Sequence, residues 1–393
     1  MIHWLFSKAV REAVAMRKHV QRSLNAQRDL LKPEAIGAVL AKIAELNEAI
    51  SQKANTGKIR IKAEELEFAA NKWLKPYPNP LWRENVEVLL VALAVAMGIR
   101  TFFLQPFKIP TGSMQPTLYG VTSKNLLDDK NFQIPTGIER IKEWFEGISY
   151  VHVVAQSDGE LQKVEPPVKL LIFNIKQTIV IGGVAQTIWF PPDYGEAPLQ
   201  MRAGLEAGHI YHKGDEVVKM EVSAGDHLFV DRLTYNFRKP ERGDIVVFET
   251  KGIPADRREN PPYWNIPPDE FYIKRLVGLG GEKIQVGDDR HLVIDGKRLD
   301  SSTPHFENLY SFDPKSPPQE SHYSGHMNQP QMPFFPDGSA TYQIPAGHVM
   351  VMGDNTMNSL DSRYWGDFPE SAIIGKSFFV YWPLTSRFGL SNP

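Results

Sequence analysis

One uninterrupted apolar run constrains this chain more than any other feature. Residues 88–99 (VLLVALAVAMGI) are 12 residues without a charge. Extending the run to residues 86–104 gives 19 residues, about one bilayer crossing, and adds Glu87 and Arg100 near its ends. Long charged side chains at such ends can reach the membrane surface. We therefore predict one transmembrane helix over residues 81–104, although a 12-residue apolar run alone is more often a buried core helix.

The apolar run separates two parts of opposite charge. Residues 1–85 carry 15 Lys and Arg against 9 Asp and Glu, whereas the remainder carries 29 against 37. Because basic flanks stay on the cytoplasmic side of a membrane, we predict a cytoplasmic N-terminus and a domain after Gln105 on the opposite side. The basic residues alternate with acidic ones and the net charge of the whole chain is -2, so we predict no nucleic-acid partner.

Residues 1–78 have the periodicity of amphipathic helices. Apolar residues recur at helical spacing in two stretches: Trp4, Leu5, Ala9, Val10, Ala13 and Val14, then Ile36, Val39, Leu40, Ile43 and Leu46 after Pro33. We predict a helical cytoplasmic region built as an amphipathic helix pair. Pro76, Pro78 and Pro80 end this region, because proline cannot continue a helix.

The sequence after residue 105 loses helical periodicity. Short β-branched and aromatic runs lie between Gly and Pro turns, at residues 245–248 (IVVF), 272–277 (YIKRLV), 378–382 (FFVYW) and in the hairpin-like segment 283–299. We predict a mainly β domain of antiparallel sheets over residues 105–393, with inserts at about 121–222 and 303–340. The second insert is rich in Pro, Ser and His, which indicates an extended loop with little regular structure.

The chain has no cysteine, which excludes a cysteine nucleophile, a disulfide framework and a thiolate zinc site. His209 and His212 are three residues apart, but no third ligand is evident, so we predict no metal site. A hydroxyl nucleophile remains possible. No Ser-His-Asp pattern is evident, and the G-x-S-x-G elbow is absent around Ser113.

Ser113 lies in the segment 107–118 (FKIPTGSMQPTL), where Gly112 and Pro116 predict a tight turn. A serine needs a positioned base, and a lysine kept neutral by burial can supply one. Strand alternation places Lys274 between Tyr272 and Leu276 on one face, so Lys274 is a candidate base. A solvated lysine is the more common outcome in an ordinary strand.

Four segments, in this order along the chain, resemble the sequence boxes of bacterial type I signal peptidases. They are residues 113–118 (SMQPTL), 242–248 (RGDIVVF), 272–279 (YIKRLVGL) and 353–366 (GDNTMNSLDSRYWG). The resemblance implies a signal-peptidase-like β fold with a membrane anchor and no cofactor. It also implies a serine endopeptidase that removes signal peptides from secretory precursors, in the bacterial inner membrane and with the lipid bilayer as a second partner.

The resemblance implies a role for each matching residue. Ser113 is the nucleophile that forms an acyl intermediate, and Lys274 is the general base. Thr111 stands where the family often has a serine hydroxyl that completes the oxyanion hole, with the backbone N–H of Ser113 as the other donor. Ser359 matches the serine that orients the lysine amine.

Asp361 and Arg363 match an acid–base pair of the family. We predict that they form a structural salt bridge, which holds residues 353–366, the last box, against the strand that contains Lys274. The family cuts after a small residue that has another small residue two positions before it. An extended peptide places both of these side chains on the same wall. We predict that this wall includes Phe107, Ile109 and Ile273.

The sequence departs from the family pattern at two places. Thr356 follows Gly-Asp-Asn where an arginine is common, with Met357 next to it, and residues 278–282 read GLGGE instead of GLPGD. Neither departure changes the nucleophile, the base or the orienting serine. The 161 residues from Ser113 to Lys274 are long for this family, so the 121–222 insert is predicted to be an added subdomain.

Two other functions remain open. Another Ser/Lys peptidase, such as a self-cleaving repressor, would have a DNA-binding domain and no membrane anchor. A non-enzymatic, membrane-tethered relative that binds precursors would have lost Ser113 or Lys274, and both are present.

Overall fold

Three helices pack around one apolar core before the apolar run. They are α1 (Lys8–Ala26), α2 (Pro33–Ser51) and α3 (Thr56–Trp73). Four leucines and isoleucines with almost no exposed surface come from all three helices, namely Leu24, Leu46, Ile59 and Leu66. The opposite faces are polar, as expected for amphipathic helices.

The prediction of a helix pair in this region is wrong, because α3 is a third member. Its helix begins after Asn55, whose side chain accepts a hydrogen bond from the backbone N–H of Lys58 over 2.8 Å. The buried face of α3 relies on small residues, Ala63, Ala69 and Ala70, beside Ile59 and Leu66. Alanine contributes little to a hydrophobic pattern, so the periodicity of this helix is weak.

The computed structural model describes residues 7–75, 80–171, 173–260, 263–319 and 321–391. The predictions made for Trp4, Leu5, Pro76 and Pro78 therefore fall outside the described residues. The chain divides into two compact units between Ala94 and Val95.

Helix α4 (Pro80–Phe102) carries the apolar run. Among the described residues, its segment Glu84–Phe102 is the one stretch long and apolar enough to cross a membrane, with 19 residues and a mean hydropathy of 1.7. None of this segment is buried. Val88, Leu90 and Met97 each expose about 60% or more of their surface, a feature that argues against a core helix of a soluble protein.

The second unit is mainly β structure with short helices. Its first strands are β1 (Leu104–Lys108), β2 (Thr122–Asn125), β3 (Ile148–Val154), β4 (Gly159–Val164), β5 (Val168–Leu170), β6 (Phe173–Ile181), β7 (Val184–Trp189), β8 (Ile210–Tyr211), β9 (Glu216–Ser223) and β10 (His227–Asp231). Then follow β11 (Ile245–Glu249), β12 (Glu259–Asn260), β13 (Trp264–Asn265), β14 (Phe271–Leu279), β15 (Lys283–Val286), β16 (Leu292–Ile294), β17 (Lys297–Arg298), β18 (Thr341–Gln343), β19 (His348–Met352), β20 (Phe368–Pro369), β21 (Ile373–Trp382) and β22 (Gly389–Leu390). The short helices are α5 (Gly137–Phe145), α6 (Leu199–Arg202), α7 (Ala255–Arg258) and α8 (Ser362–Trp365).

The largest sheet has the order β1-β10-β21-β11-β14-β19-β20, with β22 paired to β21. All its pairings are antiparallel, which confirms the predicted fold class. Strand β11 is buried on both faces: Val246 and Phe248 enter one apolar cluster, and Ile245 and Val247 enter another. A strand covered on both faces is continuously apolar, which explains the IVVF run.

The region of the first predicted insert contains two small sheets around a core of its own. One sheet has the order β2-β9-β3, and the other has the order β5-β6-β4-β8 with β7 on β6. Their buried residues include Val151, Ile179, Ile181 and Val218.

The segment 303–340 contains no helix or strand among its described residues. Several of its side chains are nevertheless buried in the core of the fold, while many others are exposed. Phe306, Tyr310 and Phe335 are buried in one cluster with the β15–β16 hairpin. That hairpin is the one predicted at residues 283–299, with Ile284 paired to Ile294.

Candidate active site

Ser113 lies in a short turn that follows β1 and is only 6% exposed. The next residue, Met114, is fully buried in an apolar cluster with Leu118 and Leu228. This buried side chain fixes the turn against the main sheet. The sequence prediction of a preset turn at Ser113 is therefore confirmed, and the anchor is the methionine beside the serine.

Lys274 lies in the middle of β14, paired with Val246 of β11, and is 4% exposed. Its Nζ donates hydrogen bonds to Ser113 Oγ over 2.7 Å and to the carbonyl of Ile273 over 3.1 Å. The structure thus brings together two residues that are 161 positions apart. The solvated lysine expected for an ordinary strand is not found at this position.

Burial changes the acid–base chemistry of this amine. Removal from water disfavours the charged form and lowers the pKa of Lys274 from 10.5 to about 8, although the carboxylates of Asp361 and Glu196 act in the opposite direction. A substantial fraction of the amine is therefore neutral at slightly alkaline pH. A neutral amine next to a serine hydroxyl can accept its proton.

Thr111 lies on the same turn, with its Oγ1 3.4 Å from Ser113 Oγ. A threonine hydroxyl at this distance lies beside the atom that would attack a carbonyl. It is therefore available as a donor to an oxygen that becomes negatively charged there.

The loop after β19 supports the turn that contains Ser113 through hydrogen bonds. The backbone N–H of Asn355 donates to the carbonyl of Ser113 over 3.1 Å, and its side-chain amide donates to the carbonyl of Gly112 over 3.0 Å. Gly353 permits this approach, because a Cβ at that position would collide with the Ser113 carbonyl and with Ser359 Oγ.

Ser359 is buried in the same region, but it does not make the predicted contact with the lysine. Its Oγ has no hydrogen-bond partner in the described part of the chain, while the hydrogen bonds of Lys274 go to Ser113 and Ile273. The serine is thus close enough to block a side chain at Gly353, yet it does not orient the amine here.

Asp361 and Arg363 form a fully buried pair, with Arg363 Nε and Nη2 each 2.8 Å from the carboxylate. Burial alone would raise the pKa of Asp361, but the charge and hydrogen bonds of Arg363 and the backbone N–H of Gly353 hold it below its usual value. The other hydrogen bonds of Arg363 go to Thr356, Ser359 and Met327, and none goes to β14.

A second buried ion pair connects the segment 353–366 directly to β14. Arg275, next to Lys274, donates to Asp354 over 2.8 and 2.6 Å, and both side chains are almost fully buried. Asp354 also accepts a hydrogen bond from Thr117, in the serine turn. Sequence reasoning missed this connection, although both residues lie inside the boxes it identified.

Thr356, the departure from the family pattern, has partners of its own. Its Oγ1 accepts from Arg363 Nη1 and from the backbone N–H of Met327, both over 2.8 Å. Thr356 thus connects residues 353–366, the last box, to the segment 303–340 by hydrogen bonds.

A cleft of about 710 Å³ opens onto the serine and the lysine. The three predicted pocket residues, Phe107, Ile109 and Ile273, all line it. Residues from the 121–222 region line it too, namely Val121, Glu196, Ala197 and Arg202. The arrangement can hold an extended chain beside a nucleophile and a base.

Comparison with known proteins identifies one family. The model for signal peptidase, peptidase S26, matches residues 82–131 and 210–382. A signal peptidase I from Leptolyngbya laminosa is 31% identical over 172 residues, which cover 44% of this chain and 67% of that protein. One from Pseudomonas fluorescens is 30% identical over 199 residues, which cover 42% of this chain and 62% of that protein. A solved signal peptidase I from Enterococcus faecalis is 26% identical and covers 35% of this chain and 97% of that chain, with a TM-score of 0.24.

Proposed function

The chain belongs to the signal peptidase family, peptidase S26, and on that premise we propose that it removes signal peptides from secretory precursors with Ser113 as nucleophile and Lys274 as general base. The observation that carries this proposal is the 2.7 Å contact between the buried amine and Ser113 Oγ. A lysine at that distance, with a pKa of about 8, has both the position and the basicity that the reaction needs.

The first half of the reaction forms an ester. The neutral amine of Lys274 takes the proton of Ser113 as Oγ attacks the scissile carbonyl, and the resulting ammonium gives that proton to the leaving amine. The Thr111 hydroxyl and the Ser113 backbone N–H donate to the oxygen that becomes negative. In the second half, Lys274 takes a proton from the water that attacks the ester and returns it to Ser113 Oγ as the ester bond breaks, which releases the acid and regenerates the free serine and the neutral amine.

The cleft supports selection of small residues at the cleavage site. Phe107, Ile109 and Ile273 form an apolar wall, on which alternate side chains of an extended peptide would lie. A shallow apolar pocket admits alanine and excludes larger groups by overlap.

We also propose that α4 anchors the chain in the lipid bilayer, once across the bacterial inner membrane. The excess of basic residues before it supports a cytoplasmic N-terminus and a catalytic domain on the outer side. Ser113 follows the apolar segment by 11 residues, which is consistent with cleavage near the membrane surface.

A precursor-cleavage assay tests the proposal. We expect the detergent-solubilised full chain to cut a secretory precursor once, after a small residue, and expect Ser113→Ala and Lys274→Ala to reduce kcat by at least about 10³-fold. Ser339→Ala, an exposed serine outside the cleft, is the matched control. Cleavage by both site variants at the wild-type rate would contradict the proposal.

A further inference from the structure

Part of the 121–222 region forms one wall of the substrate cleft. The family model leaves residues 132–209 unmatched, yet Glu196, Ala197 and Arg202 line the same cleft as Ser113 and Lys274. We call residues 193–202 the insert wall. Its residues are therefore an addition to the shared family fold at the place where substrate would bind.

Several contacts fix the insert wall beside the serine turn. Asp193 forms an ion pair with Lys108 of β1 over 2.6 Å. Arg202 Nε donates to the carbonyls of Tyr194 and Ala197 over 2.6 and 3.0 Å. Gly195, with a φ of +67°, approaches so closely that a Cβ there would lie 3.0 Å from the carbonyl oxygen of Pro110.

Two carboxylates in the cleft walls have no ion-pair partner among the described residues. Glu196 of the insert wall and Glu270, next to β14, both line the cleft. Neither carboxylate makes an ion pair among the residues that the structure describes. Of the cations nearby, Lys108 pairs with Asp193 and Arg202 Nε donates to two backbone carbonyls, so neither is bound to Glu196 or Glu270.

The carboxylate of Glu270 acts on that of Glu196. Partial burial in the cleft and the negative charge of Glu270 raise the pKa of Glu196, against the opposing charges of Lys274 and Arg202. An acidic substrate side chain in this space would be repelled by both carboxylates, whereas a basic one would be attracted by both.

We propose that the insert wall selects substrates, with Glu196 as a specificity residue that favours precursors carrying a basic rather than an acidic side chain in the segment bound by the cleft. This inference rests on the proposed function. It gives a function to the insert wall, which lies outside the residues that the family model matches.

A charge-swap experiment on the full chain tests the inference. The substrates are one precursor and its variants with Lys, Gln or Glu at each position flanking the scissile bond. We expect wild type to cleave the Lys version about fivefold faster in kcat/KM than the Glu version at one or more positions. Glu196→Gln should reduce this preference and Glu196→Lys should reverse it. Glu206→Lys, an exposed residue of the same insert outside the cleft, should keep the wild-type preference.

The outcomes separate this inference from the function it rests on. If wild type cuts the parent precursor but is indifferent to charge at every position, or if Glu196→Lys keeps the wild-type order, the specificity role is wrong and the peptidase function stands. If wild type does not cut the parent precursor, both fail. Equal loss of preference in Glu206→Lys and Glu196→Lys would also overturn the role of Glu196.

Discussion

At the scale of single residues, the proposed chemistry depends on one buried amine. Lys274 is almost fully enclosed and its pKa falls to about 8, because water is excluded from around it. The same residue in a solvated strand would be charged and unable to accept a proton. Burial therefore turns a common surface residue into a candidate base.

The pH dependence of cleavage follows from this pKa. Only the neutral amine accepts the serine proton, so kcat/KM should rise with pH, reach half its maximum near pH 8 and level off above that value. Initial rates of precursor cleavage across acid to alkaline buffers measure the profile. A rate that is flat across this range, or that falls as pH rises toward 8, would be inconsistent with a lysine base.

The Thr111 hydroxyl should contribute mainly to the rate of the chemical step. Its Oγ1 lies 3.4 Å from Ser113 Oγ, where it can donate to the developing oxyanion. Thr111→Val keeps the shape and removes the donor, so we expect kcat to fall about 10²-fold with little change in KM. Thr111→Ser is the matched control and should retain most of the activity. Full activity in Thr111→Val would remove this residue from the oxyanion hole.

At the scale of elements, the geometry of the site depends on hydrogen bonds and a buried ion pair that connect its loops. The Asn355 loop supports the serine turn through two hydrogen bonds to Gly112 and Ser113. The buried pair of Arg275 and Asp354 joins that loop to β14. The position of Ser113 is thus set by three separate segments of the chain.

Gly353 tests this arrangement, because it lies where the loops are closest. A methyl group at this position would collide with the Ser113 carbonyl, so Gly353→Ala should displace the serine turn. Since displacements of about 1 Å can reduce rates about 10²-fold, we expect a loss of this size in kcat/KM with the melting temperature reduced less than by a core substitution. Gly37→Ala, in helix α2 with open space around it and an ordinary helical backbone, controls for glycine replacement in general. An unchanged kcat/KM in Gly353→Ala would show that the loops accommodate the methyl group without a loss of catalysis.

The strands were predictable from the sequence where burial on one or both faces produces a regular pattern of apolar residues. The IVVF run, the YIKRLV run and the 283–299 hairpin are β structure as predicted, because strands covered by apolar clusters are continuously or alternately apolar. Helix α3 was missed because alanines form much of its buried face.

The site was predictable only in part. Residue type, order and family resemblance identified Ser113 and Lys274, which the structure places in contact. The link between Arg275 and Asp354 was missed, because a contact across 79 residues depends on how the strands pair. The absence of a Ser359 contact to Lys274 has the same origin, since a side-chain contact depends on loop geometry that local sequence does not encode.

At the scale of the whole molecule, we propose that one apolar helix holds the chain in a membrane. Helix α4 exposes its apolar side chains along the whole segment Glu84–Phe102. Large exposed apolar surfaces are unfavourable in water, and a bilayer removes that cost.

This helix should hold the chain in membranes against alkaline extraction. We expect wild type to remain in the membrane pellet after carbonate treatment. Leu90→Lys combined with Leu93→Lys should release it, because each charge near the bilayer centre costs about 3 kcal/mol. Leu30→Lys, an exposed apolar residue of the helical region, should remain in the pellet. Release of the wild type would count against an anchor in α4.

The acyl intermediate gives the most direct test of the Ser113/Lys274 dyad. The full chain would be mixed with a precursor, quenched in acid during turnover and digested for peptide mass mapping. The account predicts an ester on Ser113 whose added mass equals the signal-peptide fragment less one water, absent from Ser113→Ala and strongly reduced in Lys274→Ala. An ester on a different residue, or precursor cleavage by Ser113→Ala at the wild-type rate, would contradict it.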